Sequence, residues 1–162
     1  MNTILAWLDE NTFADNPEIV SRNLFARQHQ NKQVDEFLLL YIYLSFEEMV
    51  GFLRYICSDL KLKLSGAGIE LGAGCSAVSN ALMKIFPEIS SIYAVEIVPD
   101  VVKLLQPKMT AHAGNVDRCV SVFGSFDEVK LPDASLDFAV EFDAFHHSNN
   151  LVVTLKETAR VL

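Results

Sequence analysis

From Gly66 onward the chain alternates between short apolar runs and stretches with helical apolar spacing, and this alternation limits the fold more than any other feature. Ala67–Leu71, Ile92–Val95, Val120–Phe123 and Leu136–Phe142 read as strands. Ser76–Phe86 places Val78, Leu82 and Ile85 on one face of a helix that Pro87 stops. A second helix opens at Pro99 and runs to residue 106, and Asn149–Leu162 is helical with Leu151, Leu155 and Thr158 or Ala159 on one side. Strands that alternate with helices predict an α/β fold, a parallel sheet with helices on both faces.

The first 64 residues follow another pattern. Residues 3–10 read as a short helix. Asn16-Pro17-Glu18 is a helix start, with Asn as cap, Pro in the first turn and an acid on the positive end of the helix dipole, and it opens a helix to Phe25. The run from Val34 to Leu44 is apolar almost all round, as in a helix buried on most faces. Ser45-Phe46-Glu47-Glu48 matches a capping box that opens a helix from 46 to 60. Residues 1–64 are thus expected to form a helical lid or cover, and residues 65–162 the sheet-bearing domain.

Composition narrows the partners. The formal net charge of −8, from 13 basic and 21 acidic residues, argues against nucleic acid, whose phosphates need a basic surface. Solubility is the plain reading of that charge; attraction of a cationic ligand is the sharper one. Cys57, Cys75 and Cys119 form no CxxC pair and are odd in number, so neither a disulfide framework nor a metal site is expected. The N-terminus lacks the early positive charge of a signal peptide, and the apolar run Phe37–Leu44 falls short of the roughly 20 residues that span a bilayer. The expectation is a cytoplasmic protein with reduced thiols and no membrane partner.

Chemistry concentrates in three places. Gly72-Ala73-Gly74 lies between a strand and a helix, where glycine lets a ligand approach the backbone closely. A dinucleotide fingerprint would need glycine or alanine at 77, and Ala77 satisfies it, so spacing alone leaves a nicotinamide cofactor open. Glu70 speaks against one, because a carboxylate repels a diphosphate and attracts an ammonium or sulfonium group. A tight turn without ligand is the third reading. Glu96 ends the second strand, as an acid that accepts bonds from ribose hydroxyls or as an ordinary exposed acid.

The third place is the stretch from Gly124 to Leu162. Leu131-Pro132, Ser135-Leu136-Asp137, His146-His147 and Lys156-Glu157-Thr158-Ala159-Arg160-Val161-Leu162 fall in register with the second half of a known domain. Together with Glu70-Leu71-Gly72-Ala73-Gly74 and Val95-Glu96-Ile97, they make residues 66–162 resemble the class I S-adenosylmethionine-dependent methyltransferases of the small-molecule type.

The resemblance implies a Rossmann-like sheet of order 3-2-1-4 and S-adenosyl-L-methionine as cofactor. It places Glu70, Gly72, Ala73 and Gly74 beside the methionine part, Glu96 on the ribose and Ile97 on the adenine. Where the family has an acid for the adenine amino group, this chain has Ser125, followed by Phe126, which can stack on the base. Ser76 replaces the family's third glycine and is read as a helix cap. Glu141, Phe142 and Asp143 follow the fourth strand, with Glu141 toward the methionine end. His146 and His147 are the candidates for a general base; the plainer reading packs one under the sheet edge and caps the last helix with the other.

The implied function is methyl transfer to a small-molecule acceptor; the rival is a non-catalytic module that binds the cofactor. The family's sheet has seven strands, and the sequence ends at Leu162, ahead of the last of them. The fourth strand is therefore expected to leave an open edge. A fragment of a longer protein, a homodimer across that edge and a naturally short binding module all fit this pattern.

Overall fold

The computed structural model describes residues 4–162. Five strands form one parallel sheet: β1 (Ile4–Ala6), β2 (Gly66–Leu71), β3 (Ile89–Glu96), β4 (Cys119–Phe123) and β5 (Phe138–Glu141). Their order across the sheet is β1-β4-β3-β2-β5. The four strands expected from the sequence keep the expected order, and a fifth joins outside β4.

That fifth strand corrects the reading of residues 3–10 as a helix; residue 3 lies outside the described residues. Ile4, Leu5 and Ala6 pair with Ser121, Val122 and Phe123. The Trp7 amide then donates to the Phe123 carbonyl at 2.8 Å, and the indole packs on Gly124. An ideal Cβ at Gly124 would stand 2.8 Å from the ring, so the missing side chain makes room for it. Asp9 then turns the chain by accepting from the Asn11 amide at 2.8 Å.

The helices are α1 (Pro17–His29), α2 (Val34–Tyr41), α3 (Phe46–Asp59), α4 (Ala77–Ile85), α5 (Gln106–Ala113) and α6 (Leu151–Val161). A wide π-type turn, Val101–Leu105, leads into α5. The N-terminal signals act as read. Asn16 accepts from the Glu18 and Ile19 amides, and Ser45 and Glu48 cap each other across the start of α3. Helix α2 differs from expectation: it ends at Tyr41, and Leu39 and Leu40 face solvent while Val34, Phe37 and Leu38 are buried. The chain must turn at Tyr43, in left-handed backbone, to present Ser45 as the next cap.

Strand alternation sends side chains to two faces. Ile92, Ala94 and Cys119 join a core with α1–α5, while Ile69, Leu71, Val95 and Val122 join a second core with Trp7, Leu136 and Val161. The N-terminal helices and the sheet therefore share one hydrophobic cluster. In α6 the inward row is Thr154 and Val161, and Leu151 and Leu155 are exposed, contrary to the expected face. Thr154 turns inward because its hydroxyl bonds Asp127. No helix among the described residues is long and apolar enough to cross a membrane.

Candidate cofactor site

The carboxyl ends of β2, β3, β4 and β5 open onto two adjoining cavities of about 240 and 380 Å³. Clefts at this end of a parallel sheet are where such folds bind ligands. The smaller cavity is walled by Val95, Glu96, Ile97, Ser125 and Phe126, the larger by Glu70, Ala73, Gly74, Cys75 and Val78. Gly72 lies on both, as do Glu18, Arg22, Asp143 and His147. The residues expected on adenosine thus gather on one side and those expected on the methionine part on the other. Glu141 is the exception.

The glycine turn has a steric basis. Gly72 has a φ of +72°, and a Cβ there would stand 2.3 Å from the Ala144 Cβ. Gly74, at φ +50°, lies against Tyr41 from α2, with an ideal Cβ 3.0 Å from the ring and hydroxyl. Ser76 holds a left-handed φ of 64° and makes no cap bond; its hydroxyl donates to the Cys75 carbonyl at 2.6 Å. The cap reading is corrected here, since a left-handed position is what glycine ordinarily fills.

Glu96 is 3 % exposed, so it is no surface acid. One oxygen accepts from the Gly74 amide at 2.9 Å, and the other from the Ile97 and Val98 amides at 2.9 and 3.0 Å. A carboxylate offers about four acceptor positions. Three are taken, which leaves about one for a ligand hydroxyl.

Glu70 caps α4 from below: one of its oxygens accepts from the Ser79 amide at 2.9 Å and from the Ser79 hydroxyl. Burial pushes its carboxyl up to about 7; the Ser79 bonds pull it back, and Glu96 adds to the rise. Burial likewise raises the Cys75 thiol to about 12, so it stays protonated and unreactive.

Several positions behave otherwise than read from the sequence. Glu141 lines neither cavity: its carboxylate accepts from the Ala144 and Phe145 amides and holds the turn after β5. Phe142 and Asp143 are the ones that reach the larger cavity. Ser125 accepts from the Asp127 amide at 3.1 Å, and Phe126 meets Phe145 edge-on at 6.3 Å. His146 and His147 stand on a short 3₁₀ turn at the cavity mouth, and neither caps α6, which Asn150 does. Each has a carboxylate beside it: Asp143 at 3.5 Å from His146, Glu18 at 3.6 Å from His147.

Other residues at the site left no trace in the sequence pattern. Glu18 and Arg22 come from α1, Tyr41 from α2, and Gln106 from beneath the loop, where its amide donates to the Gly74 carbonyl at 2.8 Å. An Arg22 N–H donates to the Tyr41 hydroxyl. Burial would lower the Arg22 guanidinium, but Glu96, Tyr41 and Glu18 outweigh it and hold the charge firmly. The Tyr41 phenol is raised, by burial first and Glu96 second, and stays neutral.

Residues 69–162, more than half the chain, match the family described as methyltransferase domain. The chain belongs to that family. This methyltransferase domain superposes on a structure from Methanococcus maripaludis, described as an S-adenosyl-L-methionine-dependent methyltransferase, with TM-score 0.67 and 21% identity over 86% of this chain and 58% of that one. A structure from Galdieria sulphuraria, described as a sarcosine dimethylglycine methyltransferase, matches with TM-score 0.62 and 31% identity over 72% of this chain and 44% of that one. A SAM dependent methyltransferase from Aquifex aeolicus matches with TM-score 0.58 and 20% identity, over 66% and 56%. The chain spans about half the length of these structures. No curated protein sequence matches it.

Proposed function

We propose that the chain binds S-adenosyl-L-methionine across the two cavities and transfers its methyl group to a small-molecule acceptor. The observation that carries this reading is the meeting of both cavities at Gly72, with the buried carboxylate of Glu96 on one side and that of Glu70 on the other.

The residues present fit that cofactor. Glu96 retains an acceptor position for a ribose hydroxyl, and Val95, Ile97 and Phe126 offer apolar walls to a purine. The Ser125 hydroxyl can bond a ring nitrogen or amino group. Glu18 and Asp143 give the larger cavity acidic walls, and the buried Glu70 carboxyl adds an acceptor there, which suits a sulfonium and an ammonium. Bound there, the cofactor supplies an activated methyl group. The chain's own part is to hold the reactants in line and exclude water, a role that would fall to α1 and α2, which line the cavities with Glu18, Arg22 and Tyr41. A proton released by the acceptor has His147 and His146 within the same cavity, each beside a carboxylate. The Galdieria protein's description names small amine substrates, in line with a small acceptor here.

The test is calorimetric titration with S-adenosylmethionine, S-adenosylhomocysteine and NAD. Binding of the first two alone is expected, and Glu96→Gln is expected to weaken it by about 1.5–3 kcal/mol, the range for a hydrogen bond to a charged group. Binding of NAD alone would overturn the reading. Label transfer from methyl-labelled donor to a pool of small acceptors then separates an enzyme from a binding module.

A further inference from the structure

A further cavity, of about 240 Å³, opens between the C-terminal ends of α3 and α4. Helix α4, nine residues long, separates it from the glycine turn by about 14 Å, at about 1.5 Å per residue. Leu62, Ile85 and Phe86 give it apolar walls, and the buried Cys57 joins them. Its charged side chains are Arg54, Lys61 and Lys63, and among the described residues no carboxylate lines it.

These three cations are unusual in the molecule. Seven of the chain's 13 lysines and arginines bond a carboxylate or a backbone carbonyl. Among the described residues the other six have no hydrogen-bond or ion-pair partner for their charged groups. Lys32, Lys130 and Lys156 lie elsewhere; Arg54, Lys61 and Lys63 converge on this cavity. Cations at a helix end ordinarily offset its dipole, and each C-terminus carries about half a negative charge. The ends of α3 and α4 thus account for about one of the three positive charges. The rest stands uncompensated beside an apolar wall, on a chain whose net charge is −8.

The backbone supplies a second observation. The Lys61 amide donates to the Ser58 carbonyl at 3.1 Å and the Leu62 amide to the Cys57 carbonyl at 2.9 Å, which closes α3 through a left-handed residue. Glycine usually fills that place. Here it is Lys61, at a φ of 55°. A lysine carries strain there that glycine would avoid, and it brings a cation to the cavity wall. The opening is too small for a protein face, which buries about 800 Å² per partner. Its size and its split between apolar wall and positive charge fit one short apolar chain with an anionic head.

We propose that the groove between α3 and α4 binds a medium-chain carboxylate, with its acyl chain against Leu62, Ile85 and Phe86 and its carboxylate at Arg54, Lys61 and Lys63. The site is separate from the two cavities at the carboxyl ends of the strands, and it stands whether or not those hold S-adenosylmethionine.

The test is calorimetric titration of the full chain with octanoate, and with acetate and octylammonium at the same ionic strength. Octanoate is expected to bind, and acetate, without the chain, and octylammonium, with the opposite charge, to bind at least roughly 10-fold more weakly. The double variant Lys61→Gln, Lys63→Gln is expected to weaken octanoate roughly 10-fold. Lys61→Gly removes the cation and relaxes the backbone, so it is expected to weaken octanoate with a thermal midpoint no lower than that of wild type. Unchanged octanoate affinity in both variants would make Lys61 and Lys63 ordinary helix-end cations and overturn the proposal. Equal affinity for octanoate and octylammonium would also overturn it, as non-specific apolar binding, and so would no binding of octanoate at all. Sedimentation of the chain with phosphatidylserine vesicles, lost in the double variant while octanoate fails to bind, would overturn it in favour of a membrane surface.

Discussion

Glu70 shows how one side chain can have two roles that no pattern in the sequence separates. Its position before the glycine turn was legible as a carboxylate suited to a cationic ligand, and it lines the larger cavity. Its bonds to Ser79 were not legible, because Ser79 is brought to it by the turn between β2 and α4. Burial holds the Glu70 carboxyl near 7, above the 4.5 of an open chain. Between those values the folded chain keeps a proton that the unfolded chain has lost. The contribution of Glu70 to stability is therefore fully present below about 4.5 and lost as the pH rises through about 7. Glu70→Gln removes this titration. The thermal midpoint of wild type relative to Glu70→Gln is expected to fall steadily between pH 5 and pH 8. A constant difference over that range would mean that Glu70 ionises as an ordinary acid. Glu96, by contrast, accepts from three backbone amides.

At the level of elements, the family signature in the second half turns out to hold the scaffold. Asp137 accepts from the Ala67 amide at 2.8 Å and ties the start of β2 to β5. Arg160 donates to the Leu131 and Val129 carbonyls and to Asp133, and so fastens the loop before β5 to α6. These residues made the domain legible because a loop of fixed shape needs fixed partners, and they lie away from the cavities. The N-terminal elements were harder to read. An apolar tripeptide such as Ile4-Leu5-Ala6 has no period of its own, and only its pairing with β4 decides for strand. Trp7 supplies the anchor, buried between Gly124 and the second core. Trp7→Ala is expected to destabilise the protein by about 3–5 kcal/mol, the range for truncating a large buried aromatic. Urea unfolding measures it. A loss below about 1 kcal/mol would show β1 to be a loosely held edge.

Over the whole molecule, the site is assembled from parts far apart in the chain. Glu18, Arg22 and Tyr41 come from the first third, Gly72 and Glu96 from the middle, and Ser125, Asp143 and His147 from the last third. Sequence order could place the glycine turn and the strand-end acid, because strand topology alone brings them together. It could not place α1 and α2 over the cleft, since helix packing depends on contacts such as that of Tyr41 with Gly74. On the proposed reading, ligand binding is coupled to the attachment of the N-terminal helices. A ligand that binds only the folded chain stabilises it by about 2.7 kcal/mol at a hundredfold excess over its Kd. For a chain of this size that corresponds to a rise in Tm of roughly 5–11 °C. S-adenosylhomocysteine is expected to produce such a rise and to slow amide exchange in α1 and α2 together with the glycine loop. Slower exchange confined to the loop, with α1 and α2 unchanged, would mean that the helices cover the sheet and take no part in holding the ligand. Protection of both would make the N-terminal segment part of the binding site, in line with Glu18, Arg22 and Tyr41 lining the cavities.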